Sequence, residues 1–524
     1  MIPRNHHKRR NVSAQGASSS SFVAAAVTQN ADDTGESYIP TKTISMLPDD
    51  VLLEIFDFCQ KDEDGIWYRE SVVWKWHLLV QVCQRWRQIV FASPLHLNLQ
   101  ILCTSKTPVR KSLGIWPGFP IAIDYRFFGS GVTPDNEDNL VAALEEHDRV
   151  CFIRLDVTGS QLEQIVATVM EHPFPVLANL SIFSRYGDVP VLLGGFLGGS
   201  APRLQTITLI GVPFPALPTL LLSAIDLVDL ILRNIPPTGY ILPETMAECL
   251  AALPRLKVVI IQFQSATFYP DQTSPPPKTR AVLSALASFE FWGASDYLED
   301  LVGRIDSPQL NGFFIVTMNQ LRNAHVMQLS RFIDRSVGRY LTLFKHADVS
   351  FYEQVIFDVY RYENYPTGNS SWRFAKTIIR CEWPNQSLQF SHVMRTFRQF
   401  AATLNNVVHL KLDGSFMYGN QISDPDNIEW HLLLHQFSAV QTLHVSYGLA
   451  GCVALVLEDT TEESEMATVL PSLDLVYLAG LPASYLEQFA GVRRLSGRSV
   501  TVVNTEMEFN ERIKAYVNEE ENIR

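Results

Sequence analysis

One apolar pattern recurs down most of this chain and limits what it can become. The template apolar-x-x-apolar-x-apolar fits Val150, Ile153 and Leu155; Leu177, Leu180 and Ile182; Leu204, Ile207 and Leu209; and Leu227, Leu230 and Leu232. It fits again at Leu256, Val259 and Ile261; Leu286, Phe289 and Phe291; and Leu310, Phe313 and Ile315. After a gap it returns at Val407, Leu410 and Leu412; Val440, Leu443 and Val445; and Leu473, Val476 and Leu478. The first seven starts are 27, 27, 23, 29, 30 and 24 residues apart, and the last three 33 and 33. Pro175, Pro202, Pro254, Pro308 and Pro471 each stand two positions before a unit. In a strand, every second side chain shares a face, so each unit reads as a short strand with a buried stripe. The spacers at 136–147, 160–171, 243–253, 296–304, 428–437 and 482–491 read as returning helices. Ser160 with Glu163, and Ser484 with Glu487, have the spacing of capping boxes. A strand and a returning helix repeated at this interval predict parallel strands that hide their apolar residues only by stacking on neighbours.

This layout resembles the leucine-rich repeat. The resemblance implies an α/β fold: an irregular leucine-rich-repeat-like solenoid over 99–505, with parallel strands on one face and helices on the other. The repeat consensus places Asn or Cys eight residues after the first apolar position. Here that position holds Thr158, Arg185, Val212, Ile235, Gln264, Ala294, Met318, Ser415, Gly448 and Leu481. Residues 318–406 fit the template poorly, and further strands are expected at 349–360 and 377–383. A doubly wound sheet is the competing reading, but a nucleotide-binding version needs Gly-rich turns that are missing. The segment 270–278, with Pro275, Pro276 and Pro277, reads as an exposed insertion.

At 524 residues the chain exceeds one ordinary core. Residues 1–43 are rich in Ser, Ala, Asn and Thr without hydrophobic period, as a disordered tail is; 506–524 form an acidic C-terminal tail. The net charge of -13 argues against nucleic acid as a partner. Seven scattered cysteines without any C-x-x-C suit free thiols in a reducing compartment. No apolar core follows the basic start, and the longest apolar run, 216–232, is broken by Pro218, Asp226 and Asp229. An intracellular chain, cytoplasmic and/or nuclear, with no membrane partner is therefore expected.

The segment 44–98 differs from the rest. Pro48, with Asp49 and Asp50, opens a helix in which Val51, Ile55 and Phe58 share one side and Leu52, Leu53 and Phe56 lie around it. A helix apolar on most sides must be covered on most sides. After an acidic connector, a second helix is expected over 74–90, with Leu79, Val82, Cys83, Trp86, Ile89 and Val90 as its stripe. Leu47-Pro48, Ile55-Phe56 and Val82-Cys83-x-x-Trp86-Arg87 together resemble the F-box motif. Ala92-Ser93-Pro94-Leu95-His96 resembles the tail that follows it in fungal F-box proteins. Asp50 stands where the family usually has glutamate, and the connector between the motif halves is long. The resemblance implies an α-helical module that docks on a Skp-type adaptor, and through it a cullin scaffold. Leu47, Pro48, Leu52, Ile55, Phe56, Leu79, Val82, Cys83 and Trp86 are the adaptor-binding positions it implies.

No catalytic constellation emerges: G-x-x-x-x-G-K-[ST], G-x-S-x-G, H-E-x-x-H and H-R-D are all missing. Gly194, Gly195, Gly198 and Gly199 lack the lysine of a phosphate loop. His431 and His435 are four apart on an expected helix, but two ligands are too few for zinc and Trp430, Leu432, Leu433 and Leu434 mark a packing helix. No catalytic residue, metal or cofactor is expected. The chain reads as the substrate-recognition subunit of a Skp–cullin–F-box ubiquitin ligase, a non-catalytic receptor. Its alternative is a repeat scaffold whose F-box-like segment is only structural. A target protein would bind side chains pointing away from the buried stripe: Arg154, Arg233, Gln262, Glu290, Trp292, Lys411, His444 and Tyr477. Trp292 leads that set, because aromatic anchors dominate binding energy.

Overall fold

The computed structural model describes residues 44–60, 76–94, 96–97, 99–105, 107–116, 118–126, 134–168, 170–184, 189–265, 279–317, 327–337, 345–351, 354–360, 377–382, 404–414, 430–459, 469–479, 486–495 and 497–504. The tails expected at 1–43 and 506–524, and the proline-rich 270–278, lie outside them. The chain divides into two compact units, Met1–Glu63 and Asp64–Arg524.

In the first unit the described structure is a short 3-10 turn, Ile44–Met46, and helix α1, Asp49–Gln60. Pro48 stands just ahead of the helix, and its carbonyl accepts from Leu52 N at 3.1 Å. Asp49 and Asp50 occupy the first turn, where carboxylates meet the positive end of the helix dipole.

The second unit is organised by one sixteen-stranded sheet. Its strands are β1 Ile101–Cys103, β2 Ile121–Arg126, β3 Val150–Val157, β4 Asn179–Ser184, β5 Thr206–Ile210, β6 Asp229–Ile235 and β7 Val258–Phe263. Then come β9 Ser288–Gly293, β11 Gly312–Thr317, β12 His346–Phe351, β13 Gln354–Tyr360, β14 Thr377–Glu382, β15 His409–Gly414, β16 Thr442–Val445, β17 Leu475–Leu478 and β18 Thr501–Asn504. The two remaining strands, β8 Ala281–Val282 and β10 Ile305–Asp306, pair with each other. From β1 to β11, and again from β15 to β18, each sheet strand pairs in parallel with its predecessor. Within each of these two runs the order never turns back on itself, as the order of a doubly wound sheet does at its central crevice.

The ten template units are ten of these strands with the residues leading into them. Every one of their apolar positions is at most 3% exposed. Ile153, Leu180, Ile207, Leu230, Val259, Phe289 and Phe313 form one row in register across seven strands, and Leu155, Ile182, Leu209, Leu232, Ile261, Phe291 and Ile315 form the next. The alternate side chains are largely half-buried or exposed. One face of the sheet is thus covered, and the other is the more open.

Helices α5 Pro134–Leu144, α6 Gly159–Thr168, α8 Pro243–Ala251 and α9 Ser295–Arg304 occupy expected spacers. The cap of α6 differs from the expected Ser160–Glu163 box. Thr158 N donates to Gln161 Oε1 at 3.1 Å, so the same three-residue spacing acts two positions earlier. Ser484 lies outside the described residues. Among the described residues the last helix is α12, Glu487–Leu495, which overlaps the 482–491 spacer and extends past its end.

Two further expectations are corrected. Residues 349–360 are not one strand: β12 and β13 pair antiparallel, Val349 opposite Phe357. β13 also pairs antiparallel with β14, so the sheet order there runs β11-β14-β13-β12-β15. The predicted helix over 74–90 is two helices, α2 Trp76–Val82 and α3 Gln84–Ala92. Extended backbone at Cys83, φ -158° and ψ 171°, breaks them, and Cys83 Sγ accepts from Trp86 N at 3.5 Å as the cap of α3. Cysteine serves here where serine or aspartate is usual.

Trp76 anchors α2 within the second unit. It meets Phe91, Trp116 and Phe119 edge-on, with ring centroids 6.4, 5.3 and 6.0 Å away. Its Nε1 donates to Gln100 O at 3.0 Å, just ahead of β1. β1 is the edge strand of the sheet, and this aromatic cluster packs beside it.

Candidate interaction surfaces

The nine residues carrying the F-box resemblance fall into different environments. On α1, Leu52 and Phe56 are buried at 0% and 1%, so their side chains serve packing and take no place on an exposed surface. Ile55 is exposed, as are Val51 and Phe58, and the three lie on one stripe at steps of four and three. Phe58 is 73% exposed, a large apolar side chain in water. Pro48 is exposed and Leu47 half-buried. In the second unit, Val82 and Cys83 are exposed, while Leu79 and Trp86 are half-buried. Leu78 sits four residues before Val82 on α2 and is exposed with it. Val51, Phe58 and Leu78 thus belong with the exposed apolar set, and helical periodicity was the signal for each.

On the open face of the sheet, the sequence-named residues form separate groups. Arg154 on β3 lies with its guanidinium 5.3 Å from the Phe183 ring on β4. Arg233 on β6, Glu290 on β9 and Trp292 on β9 come together: Arg233 Nη2 is 3.4 Å from Glu290 Oε2, and the guanidinium sits 5.7 Å over the Trp292 ring. Phe314 on β11 extends the group, edge-to-face with Trp292 at 4.6 Å. Burial pushes the Glu290 carboxyl above its usual range, and Arg233 draws it partly back. Gln262, the register partner of Trp292, lies in the same row.

The C-terminal group stands five strand steps from β9, about 24 Å at ordinary interstrand spacing. Lys411 on β15 pairs with Asp413 at 3.3 Å. His444 on β16 stacks on Tyr477 on β17 at 4.3 Å, with planes 11° apart. Next to them His346 on β12 stacks on His409 on β15 at 4.6 Å. Burial, then the neighbouring His409, lowers the pKa of His346, and Asp348 opposes both. The sequence reading missed Phe314, Phe183, His346 and His409. Phe314 was accessible, since it occupies the same place in its unit as Glu290 does.

His431 and His435 do not join a group of three potential ligands among the described residues. Two cavities are of water size: one of about 10 Å³ among Leu209, Phe214, Met246 and Tyr297, and one of about 20 Å³ among Tyr125, Glu137, Gln161 and Gln164. Among the described residues no helix is long and apolar enough to cross a membrane.

No family model matches the chain, and no curated protein matches it.

Proposed function

We propose that this chain is the substrate-recognition subunit of a Skp–cullin–F-box ubiquitin ligase. In this reading residues 44–98 form an F-box that docks on a Skp-type adaptor. Residues 99–505 form a leucine-rich-repeat-type solenoid that presents a target protein on its open strand face. The chain performs no chemistry itself: holding the target near a ubiquitin-charged enzyme raises the local concentration of the reacting groups.

The observation that carries the proposal is the exposed stripe Val51, Ile55 and Phe58 inside a segment already matching the motif at Leu47-Pro48 and Ile55-Phe56. Exposed apolar side chains of this size, grouped on one helix face, suit a protein interface. The scaffold reading draws on Leu52 and Phe56, whose burial gives the same helix a packing role.

The test is capture from cells. The wild-type chain should recover a Skp-type adaptor. Leu47→Ala with Pro48→Ala should abolish recovery, and so should Ile55→Asp with Val82→Asp, which touches exposed side chains only. Adaptor recovery undiminished in both double variants would sink the assignment and leave the scaffold.

A further inference from the structure

We infer that Arg233 is a docking point for a carboxylate side chain on an extended segment of a client protein, one bearing an acidic residue two positions from a bulky apolar residue. The inference rests on the proposal that the open sheet face receives the client, and it names the chemistry of that client.

Two arginines on this face make the case by contrast. Arg126 is saturated: its Nε and Nη2 donate to the two oxygens of Asp124 at 2.9 and 2.7 Å, a forked pair. Arg233 is not. Its one carboxylate contact is a single bond from Nη2 to Glu290 at 3.4 Å. Nε is unpartnered but buried from solvent, so Nη1, which also has no partner among the described residues and is not buried, is the donor left for a ligand. The side chain is nevertheless held in place, over the Trp292 ring, and remains 38% exposed. A guanidinium fixed by stacking, with a donor unused, binds a further carboxylate at little cost in side-chain entropy.

Glu290 acts as the resident competitor. Its carboxyl is only 28% exposed and reaches the guanidinium through one long contact, Nη2 to Oε2 at 3.4 Å, so it does not match the fork of Arg233. A client carboxylate arriving from solvent meets a cation whose charge is not already spent.

The surroundings supply the rest of the preference. Ile231 precedes Arg233 by two residues on the same strand face, and Ile210 is its register partner on β5. Trp292 and Phe314 lie on its other side. In an extended peptide, side chains two residues apart share a face at roughly 6.5–7 Å, the same spacing as successive rows on this sheet. A carboxylate on Arg233 therefore sets a neighbouring apolar side chain against Ile231 or Trp292. Arginine and tryptophan side by side are also the residue types that dominate interface energy.

The experiment selects peptides on the immobilised full chain from a random twelve-residue phage library. Wild type should enrich Asp or Glu two positions from Leu, Ile or Phe. A selected peptide should bind Arg233→Glu at least tenfold more weakly, and Arg233→Lys, which keeps the charge and loses the fork, severalfold more weakly at an unchanged thermal midpoint. Glu290→Gln, which removes the competitor, should bind severalfold more tightly. No acidic enrichment, or affinity unchanged in Arg233→Lys and Glu290→Gln, overturns the inference. Adaptor capture is scored on the same preparations. Peptide selection that fails while capture succeeds refutes the carboxylate site alone; capture that fails refutes the receptor reading, and the peptide result still decides the site.

Discussion

Phe291 and Trp292 are neighbours on β9, and they belong to different worlds. Phe291 points to the covered face, fully buried and stacked on Tyr297 at 5.8 Å. Trp292 points to the open face, half-buried between a guanidinium and a phenyl ring. The contrast recurs across the strands of the ten template units, with Ile260, 6% exposed, as an exception on the open face. At the covered positions the residue type scarcely changes from unit to unit: Ile, Leu, Val or Phe, all at most 3% exposed. At the place in each unit that Glu290 occupies, the open face reads Arg154, Ser181, Thr208, Ile231, Ile260, Glu290, Phe314, Lys411, His444 and Tyr477. Stacking asks the same thing of every unit, so the covered face repeats. No such packing demand acts on the open face, and its residue types do not repeat.

The sharpest way to break this division is to truncate each neighbour in turn. Phe291→Ala should cost about 3–5 kcal/mol of stability in urea unfolding, the loss expected for a fully buried phenylalanine. A loss below about 1 kcal/mol would mean that the covered face is not the one that holds the sheet together. Gly211 should come next. Its φ is +71°, and a Cβ there would lie 2.4 Å from Ser184 O, so Gly211→Ala should cost roughly 2–3 kcal/mol.

A third prediction concerns a charge on the helix side. Glu299 of α9 accepts from Gln328 N and Leu329 N, at 2.8 and 2.9 Å, in the first turn of α10, Met327–Val337. Burial raises its pKa to about 7, the two backbone bonds pull against that, and Asp296 adds to the rise. Because the folded value exceeds the unfolded one, the folded chain holds the proton more tightly. The stability this contributes is full at low pH and is lost as pH climbs from about 4.5 through about 7. Urea midpoints of the wild type should therefore fall more over pH 5 to 8 than those of Glu299→Gln; equal slopes would refute it. The smallest effect belongs to the open face. Trp292→Ala should change stability by only about 1 kcal/mol, the worth of one aromatic pair and one cation–π contact. If it matched Phe291→Ala, the two faces would not differ in the way described.

Much of the sheet was legible because burial repeats in sequence as it does in space. The ten units and four of the helices are where the period put them. What escaped was governed by single residues or by pairing between distant ones. Nothing in the stripe from Leu79 to Val90 announces that Cys83 is extended and caps a new helix. Thr158 with Gln161 and Ser160 with Glu163 have the same spacing, and only the backbone's entry into α6 chooses between them. The antiparallel pair β12–β13 was hidden because β12, with the sequence HADVSF, holds only Val349 and Phe351 as β-forming residues, and these run straight into the β-rich β13. In the F-box-like segment the motif names Ile55 and Phe56 together, and only the fold separates exposed Ile55 from buried Phe56. The open-face residues were found by alternation, but their grouping depends on side chains reaching across strands.

The reversed stretch β14-β13-β12 has a consequence for how this chain reaches its native state. Elsewhere each strand needs only the one before it, as when Thr206 meets Asp229, so order can spread like a zip over short loops. At the reversal Phe313 must find Thr377, and His346 must find His409, before the ladder continues. Each of these closes a much longer loop, and loop-closure entropy is met before the contacts reward it. The sheet therefore has a kinetic seam: β1 to β11 and β15 to β18 can each assemble early, and joining them is the slow event.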